Sequence, residues 1–243
     1  MTGTRVRTHD PSGAAVPARP ASTVMLLRDG PAGVEVFMLR RQTTMAFAPG
    51  ALVFPGGAVD PQDSDPSMPW AGPEPAQWAH SLDLSETRAR AHVSAAVRET
   101  FEECGVLLAS PAQGAPGRAQ RAPADGSRAA DRERLLTGEH TLAELLTARG
   151  MVLRSDLLRP WAHWVTPATY PRRYDTRFFL ARCPEHQRPE HVGGESAESR
   201  WWSAAGALRA AQHGQVRLMY PTRACLQDLA AAATVEQLLT EPT

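Results

Sequence analysis

The residues best able to do chemistry stand together in one short stretch, Val97-Arg98-Glu99-Thr100-Phe101-Glu102-Glu103-Cys104-Gly105-Val106. On a helix at about 100° per residue, Val93, Phe101 and Cys104 fall within about 40° of Val97, forming an apolar stripe. Glu99, Glu102 and Glu103 fall about 140–240° away, so the spacing predicts three carboxylates on one exposed patch opposite a buried face. Neighbouring carboxylates on a helix repel by about 0.2–0.5 kcal/mol per pair, and a sequence shaped by stability alone would intersperse cations. A hard divalent cation relieves that repulsion. Oxygen-only donors suit Mg²⁺ or Mn²⁺, which bind through a few carboxylates together with water and phosphate oxygens. The same spacing describes a plain solvated acidic face, so the surrounding elements decide between the two.

Those elements can be read in turn. Residues 1–21 lack periodicity and read as a disordered leader. Residues 22–28 and 34–41 alternate as strands around Asp29-Gly30-Pro31, which predicts a hairpin. Leu52-Val53-Phe54 is a short strand running into Pro55-Gly56-Gly57, where paired glycines allow a close backbone approach to a ligand. Residues 60–80 read as a Pro-rich loop pinned by Trp70 and Trp78. Asp83 and Glu86 have capping-box spacing, so the acidic helix is predicted from near Ser85 to Gly105. Residues 109–130 are low-complexity, and one or two short helices follow, broken near Gly138 and closed at Gly150. Two further strands are expected at 161–167 and 172–181. Helices follow from Ser203 to about Ala211 and from Thr222 to about Leu239. His163, between two tryptophans, reads as a structural residue.

Whole-chain properties narrow the function classes. The 243 residues carry 26 basic and 26 acidic groups, every basic one an arginine, so no net field recruits nucleic acid or an anionic membrane. Cys104, Cys183 and Cys225 are isolated and odd in number, which argues against a disulfide framework or zinc site and for a reducing, cytoplasmic setting. No apolar stretch reaches the ~18–20 residues of a membrane span, and no signal-peptide pattern opens the chain.

The segment from Arg98 to Val106 resembles the helical half of the Nudix box, G-x5-E-x7-R-E-U-x-E-E-x-G-U, with U apolar. Arg98, Glu99, Glu102, Glu103, Gly105 and Val106 match; Thr100 stands where an aliphatic residue is usual. Between Gly57 and Arg98 lie 40 residues where the compact box has 13, an insertion of 27. On this count the first box acid is lost, with Asp63 six after Gly57 and Arg90 eight before Arg98. Three more segments are similar to the peroxisomal coenzyme A diphosphatase branch of the superfamily. They are Leu39-Arg40-Arg41 with residues 47–57, Trp164-Val165-Thr166-Pro167 with residues 173–179, and the insertion itself. One position departs: Ala46 stands where the coenzyme A signature carries a second Arg.

The resemblance implies a Nudix-type α/β/α sandwich with a mixed sheet, one domain over 22–240 elaborated by insertions at about 60–84 and 109–150. It implies hydrolysis of a small nucleoside diphosphate derivative, foremost coenzyme A or acyl-coenzyme A, to 3′,5′-ADP and (acyl-)4′-phosphopantetheine. Glu99, Glu102 and Glu103 would hold Mg²⁺ or Mn²⁺, and Arg98 would orient a carboxylate by bidentate pairing. Glu195 or Glu198 would supply a further ligand or the general base. Arg40 and Arg41 would meet a phosphate of the adenosine half, with Gly56 and Gly57 lining the diphosphate. ADP-ribose or a dinucleotide such as NADH remains an alternative substrate, and a non-catalytic nucleotide-binding module an alternative class. Oligomeric state stays open, a homodimer included.

Overall fold

Period-two alternation and helix caps account for most of the elements. The computed structural model describes residues 6–7, 16–44, 48–112, 125–190 and 196–240. A short β1 (Val6–Arg7) is followed by β2 (Arg19–Gly30) and β3 (Gly33–Arg41), an antiparallel hairpin closed by Pro31 and Ala32. Next come β4 (Ala51–Val53), β5 (Gly56–Ala58), a 3-10 turn at Pro61–Ser64, β6 (Trp70–Ala71), α1 (Pro75–Leu82) and the long α2 (Glu86–Cys104). Then follow β7 (Ala109–Pro111), α3 (Asp125–Leu136), α4 (Leu142–Arg149), β8 (Met151–Arg154), β9 (Arg159–Val165) and β10 (Tyr174–Arg182). The order ends with β11 (Ser196–Ser203), α5 (Ala204–Gln212), β12 (Arg217–Leu218), α6 (Tyr220–Ala230) and α7 (Val235–Thr240).

The main sheet is mixed, in the order β1-β9-β10-β2-β3-β4-β12, with β5 added to β2 and β11 to β3. Alternation sends its side chains to two cores. Val24, Leu26, Phe37 and Leu39 pack with α1, α2 and α4 on one face. Met25, Leu27, Val36 and Met38 pack with α5, α6 and α7 on the other. The result is the expected α/β/α sandwich.

The hairpin opens beyond its first pairs, and that opening makes room for a site. β2 and β3 are matched only over Leu27–Gly30 and Val36–Gly33. Farther along, β4 takes the place beside β3 at Leu39 and Arg40, while β5 pairs with β2 at Ala21–Thr23. Phe54-Pro55 bridges the gap, with Val24 N–H donating to Pro55 O. Gly56 and Gly57 therefore sit between two diverging strands.

Among the described residues, the segments 60–84 and 109–150 carry more regular elements than their composition suggests. Pro61 opens the 3-10 turn and Pro75 opens α1, positions where proline's missing N–H costs nothing. Trp78 is buried against Phe179, edge to face at 5.9 Å. Asp83 does not cap α2: it adopts a left-handed conformation (φ 53°) that ends α1, and Ser85 Oγ accepts from Arg88 N–H as the cap of α2. β6, β8 and β7 form a separate three-stranded sheet, in which β6 of the 60–84 segment and β7 of the 109–150 segment flank β8. Within the leader reading, Val6–Arg7 pairs with β9 and β2 already begins at Arg19; residues 1–5 and 8–15 lie outside the described residues. Of the low-complexity stretch, residues 113–124 lie outside them too.

Candidate active site

Helix α2 runs beneath the opening between β2 and β3, closed at its C-terminal end by Gly105 in the left-handed region (φ 70°). Nearly every residue from Ala89 to Cys104 is buried except the three acids, which are partly so. This corrects the exposed patch expected from the helical wheel. The side chains of Glu99 and Glu102 are only 13 % and 12 % exposed. The cause lies off the helix: β5 and the 3-10 turn at Pro61–Ser64 cover the face that periodicity alone leaves to solvent.

Arg98 organises that covered face. Its Nε and Nη2 donate to the two oxygens of Asp63 at 2.9 Å each, a bidentate pair in which Arg98 is 6 % and Asp63 1 % exposed. Nη1 donates to Glu99 (2.8 Å) and to Glu102 (3.0 Å), and Nη2 also reaches Ala58 O (3.0 Å). Burial works against the cation, but Asp63, Glu99 and Glu102 outweigh it and hold Arg98 above the ordinary guanidinium range. Asp63, whose position six after Gly57 is its one signal in the sequence, also caps the turn by accepting from Asp60 N–H.

Three carboxylates face one guanidinium, with a fourth nearby, so the cluster is net negative. Burial pushes Glu99 up to about 7, opposed by Arg98 and reinforced by Glu102, and burial raises Glu102 as well. Glu103 Oε2 accepts from Gly56 N–H at 2.9 Å, which ties helix to loop. Gly56 is required by contact with backbone, whereas a side chain at Gly57 would displace the end of Glu99. A Cβ on Gly57 would lie 2.5 Å from Glu99 Oε2, and one on Gly56 2.4 Å from Ser22 O.

Above these groups opens a cavity of about 800 Å³. Glu99, Glu103, Gly56, Gly57 and Arg41 line one part of it; Trp164, Tyr170, Tyr174, Phe178 and Tyr220 line another. No spacing in the sequence groups these aromatics, since they arrive from β9, β10, α6 and the β9–β10 connection. Arg40 takes another direction. Alternation along β3 turns it to the opposite face, where it lines a separate cavity of about 210 Å³ with Glu198 and Arg200. Glu198 is half-exposed there, 4.0 Å from Arg40 and 3.4 Å from Arg200. Glu195 lies outside the described residues. His163 is hydrogen-bonded to Asp175, in keeping with a structural role.

Among the described residues no three acids, histidines or cysteines converge as a preformed metal cage. The carboxylates are turned instead to Arg98 and to the Gly56 amide. Their chemistry nevertheless fits a hard divalent ion: the donors are all oxygens, the cluster is net negative, and burial lifts Glu99 toward neutrality, a cost that a nearby cation removes.

A mixed sheet between helical layers, with an Arg-anchored acidic helix under a Gly-Gly loop, is the arrangement of a Nudix hydrolase. Similarity to known proteins agrees. The family model described as the NUDT19 Nudix domain matches residues 87–225. A Gallus gallus protein named acyl-coenzyme A diphosphatase NUDT19 is 30% identical over 203 residues, 70% of this chain and 53% of that protein. A Caenorhabditis elegans protein named putative nudix hydrolase 7 is 31% identical over 187 residues, 77% of this chain and 52% of that one. The crystal structure of a NUDIX hydrolase from Alicyclobacillus acidocaldarius superposes with a TM-score of 0.76 at 31% identity, covering 95% of this chain and 99% of that chain. The chain spans about half the length of the curated relatives it matches. It belongs to the Nudix family and resembles the coenzyme A diphosphatase branch.

Proposed function

We propose that this chain hydrolyses the diphosphate linkage of coenzyme A or an acyl-coenzyme A in a divalent-ion-dependent reaction, releasing 3′,5′-ADP and (acyl-)4′-phosphopantetheine. The observation that carries this reading is one cavity that joins a carboxylate and Gly-Gly wall, an Arg41 wall and an aromatic wall. Such a cavity suits a ligand with a dense anion at its centre and apolar or planar groups at its ends. Two relatives, from Gallus gallus and Homo sapiens, carry the name acyl-coenzyme A diphosphatase, and this supports the same substrate class here.

Each residue then has a task. Arg98 stays out of contact with substrate and fixes Glu99 and Glu102, its own direction set by Asp63. Gly56 N–H fixes Glu103, and the absence of a Cβ at Gly57 lets the loop close over Glu99. Glu99, Glu102 and Glu103 would hold Mg²⁺ or Mn²⁺, which supplies charge neutralisation of the diphosphate and acidification of water. A carboxylate oxygen of this group left free of the ion can accept the proton of the attacking water. Arg41, on the cavity wall, is placed to meet a substrate phosphate by a charge-assisted bond. For Arg40 and Glu198 we propose no role in this cavity, since they share the other one.

The test is a hydrolysis panel of coenzyme A, acyl-coenzyme A, dephospho-coenzyme A, ADP-ribose and NADH, each with Mg²⁺ or Mn²⁺ and with chelator. A contact to the 3′-phosphate worth about 1.5–3 kcal/mol favours coenzyme A over dephospho-coenzyme A by ~10–150-fold in kcat/KM. Arg41→Ala is expected to shrink that ratio. Faster turnover of ADP-ribose or NADH would leave only the broader diphosphatase, and no turnover at all would favour a nucleotide-binding module.

A further inference from the structure

The 109–150 insertion touches the acidic helix at its most sensitive point. The last carbonyls of a helix lack partners within it, and here two of them are met from outside. Beyond the cap bond from Gly105 N–H to Phe101 O (2.9 Å), Cys104 O accepts from Glu190 N–H (3.0 Å). Glu102 O accepts from Nε of Arg132, on α3 of the insertion, at 2.5 Å. Nη1 of Arg132 reaches Glu190 O at 3.5 Å, so one guanidinium joins the helix end to the 183–190 connection. Arg132 is only 4 % exposed. Its neighbour Asp131, equally buried, accepts from Arg149 of α4 at 2.7 Å, which anchors α3 from its other side. Glu102 is therefore gripped twice: its side chain by Arg98 and its backbone by Arg132.

We infer that Arg132 is a positioning residue through which the insertion sets the C-terminal turn of α2, and with it Glu102 and Glu103. It is not among the residues that line the cavity, and its printed hydrogen bonds go to backbone carbonyls. A buried cation at a helix C-terminus completes the terminal carbonyls and opposes the negative end of the helix dipole. Without it, the terminal carbonyls of the turn carrying two of the three acids keep only Gly105 and the 183–190 connection, and the acids themselves only their side-chain partners Arg98 and Gly56 N–H. Displacement of a catalytic group by about 1 Å lowers turnover by about 100-fold, so a local loosening acts on chemistry more than on affinity.

This inference rests on the diphosphatase reading for its kinetic part but not for its structural part, and the two are measured separately. Arg132→Met keeps the aliphatic stem and removes the donors; Arg132→Lys keeps the charge without the guanidinium fork. Hydrogen exchange of the amides at 101–106, followed beside the rest of the chain, reads the brace with no substrate or metal present. Faster exchange confined to that turn in Arg132→Met, with Arg132→Lys intermediate, is the expected result. On the substrate that the unmodified protein hydrolyses, kcat is expected to fall about 10–100-fold with KM within about threefold, and Arg132→Lys to recover part of the loss. Unchanged exchange at 101–106, or a loss of protection spread over the whole chain in both variants, would overturn the brace. Faster local exchange with kcat unchanged would overturn the positioning role. An inactive unmodified protein would count against the diphosphatase reading alone, leaving the exchange result to decide the brace.

Discussion

Asp63→Ala is the most direct probe of how the acidic cluster is held. The substitution removes both oxygens that receive Arg98 Nε and Nη2. Nη2 retains Ala58 O, and Nη1 retains Glu99 and Glu102, so the cation is not stranded. Nε is left buried without an acceptor. Breaking one side of a buried ion pair costs about 3–5 kcal/mol, and the remaining carboxylates place this case near the lower end, about 3 kcal/mol. For a chain of this size each kcal/mol moves the melting temperature by about 2–4 °C, so a drop of about 6–12 °C is expected. Turnover should fall too, because Arg98 freed from Asp63 follows Glu99 and Glu102 and lets both drift. Thermal unfolding by circular dichroism, with initial rates on the same preparation, measures both quantities. Asp63→Glu should retain more of each than Asp63→Ala, since it keeps a carboxylate for the fork. A melting temperature within about 2 °C of the unmodified protein, with rates unchanged, would show that Glu99 and Glu102 suffice and that Asp63 is not part of the machinery.

Three further outcomes are expected. Glu103→Gln should leave the fold intact, since an amide oxygen can still accept from Gly56 N–H, yet lose most turnover. A rate within about threefold of the unmodified protein, roughly 0.65 kcal/mol of barrier, would remove Glu103 from the metal-binding set. Gly57→Ala places a methyl 2.5 Å from Glu99 Oε2, so rate loss should exceed stability loss as Glu99 is pushed aside; equal rates would show that the loop yields instead. His92 is 1 % exposed beside Ser22 Oγ, and burial, with Arg177 adding, pushes it down from 6.5 to about 4. Between those values the unfolded chain binds the proton and the folded chain does not, so stability is full above pH 6.5 and falls as pH drops toward 4, by up to about 3 kcal/mol. Urea unfolding at pH 7 and pH 4.5 should show a smaller difference in His92→Gln than in the unmodified protein; identical differences would discard the assignment.

What was legible in the sequence is what depends on near neighbours. Alternation around Asp29-Gly30-Pro31 announces the hairpin, Ser85 and Gly105 bracket the acidic helix, and Gly138 and Gly150 separate the short helices, because turns and caps are settled within a few residues. Alternation also contained the separation of Arg40 from Arg41, since adjacent strand residues face opposite ways. Prolines misled at 60–84: Pro61 and Pro75 begin helical turns, and composition does not distinguish a starter from a breaker. Tertiary structure alone decided the state of the acids. The wheel shows Glu99, Glu102 and Glu103 away from the core, but only the splaying of β2 from β3 brings β5 and Asp63 over them, from positions some 35–47 residues distant in the chain. Solvent exposure is a property of everything that packs against a surface, so a helix cannot carry that information in its own period.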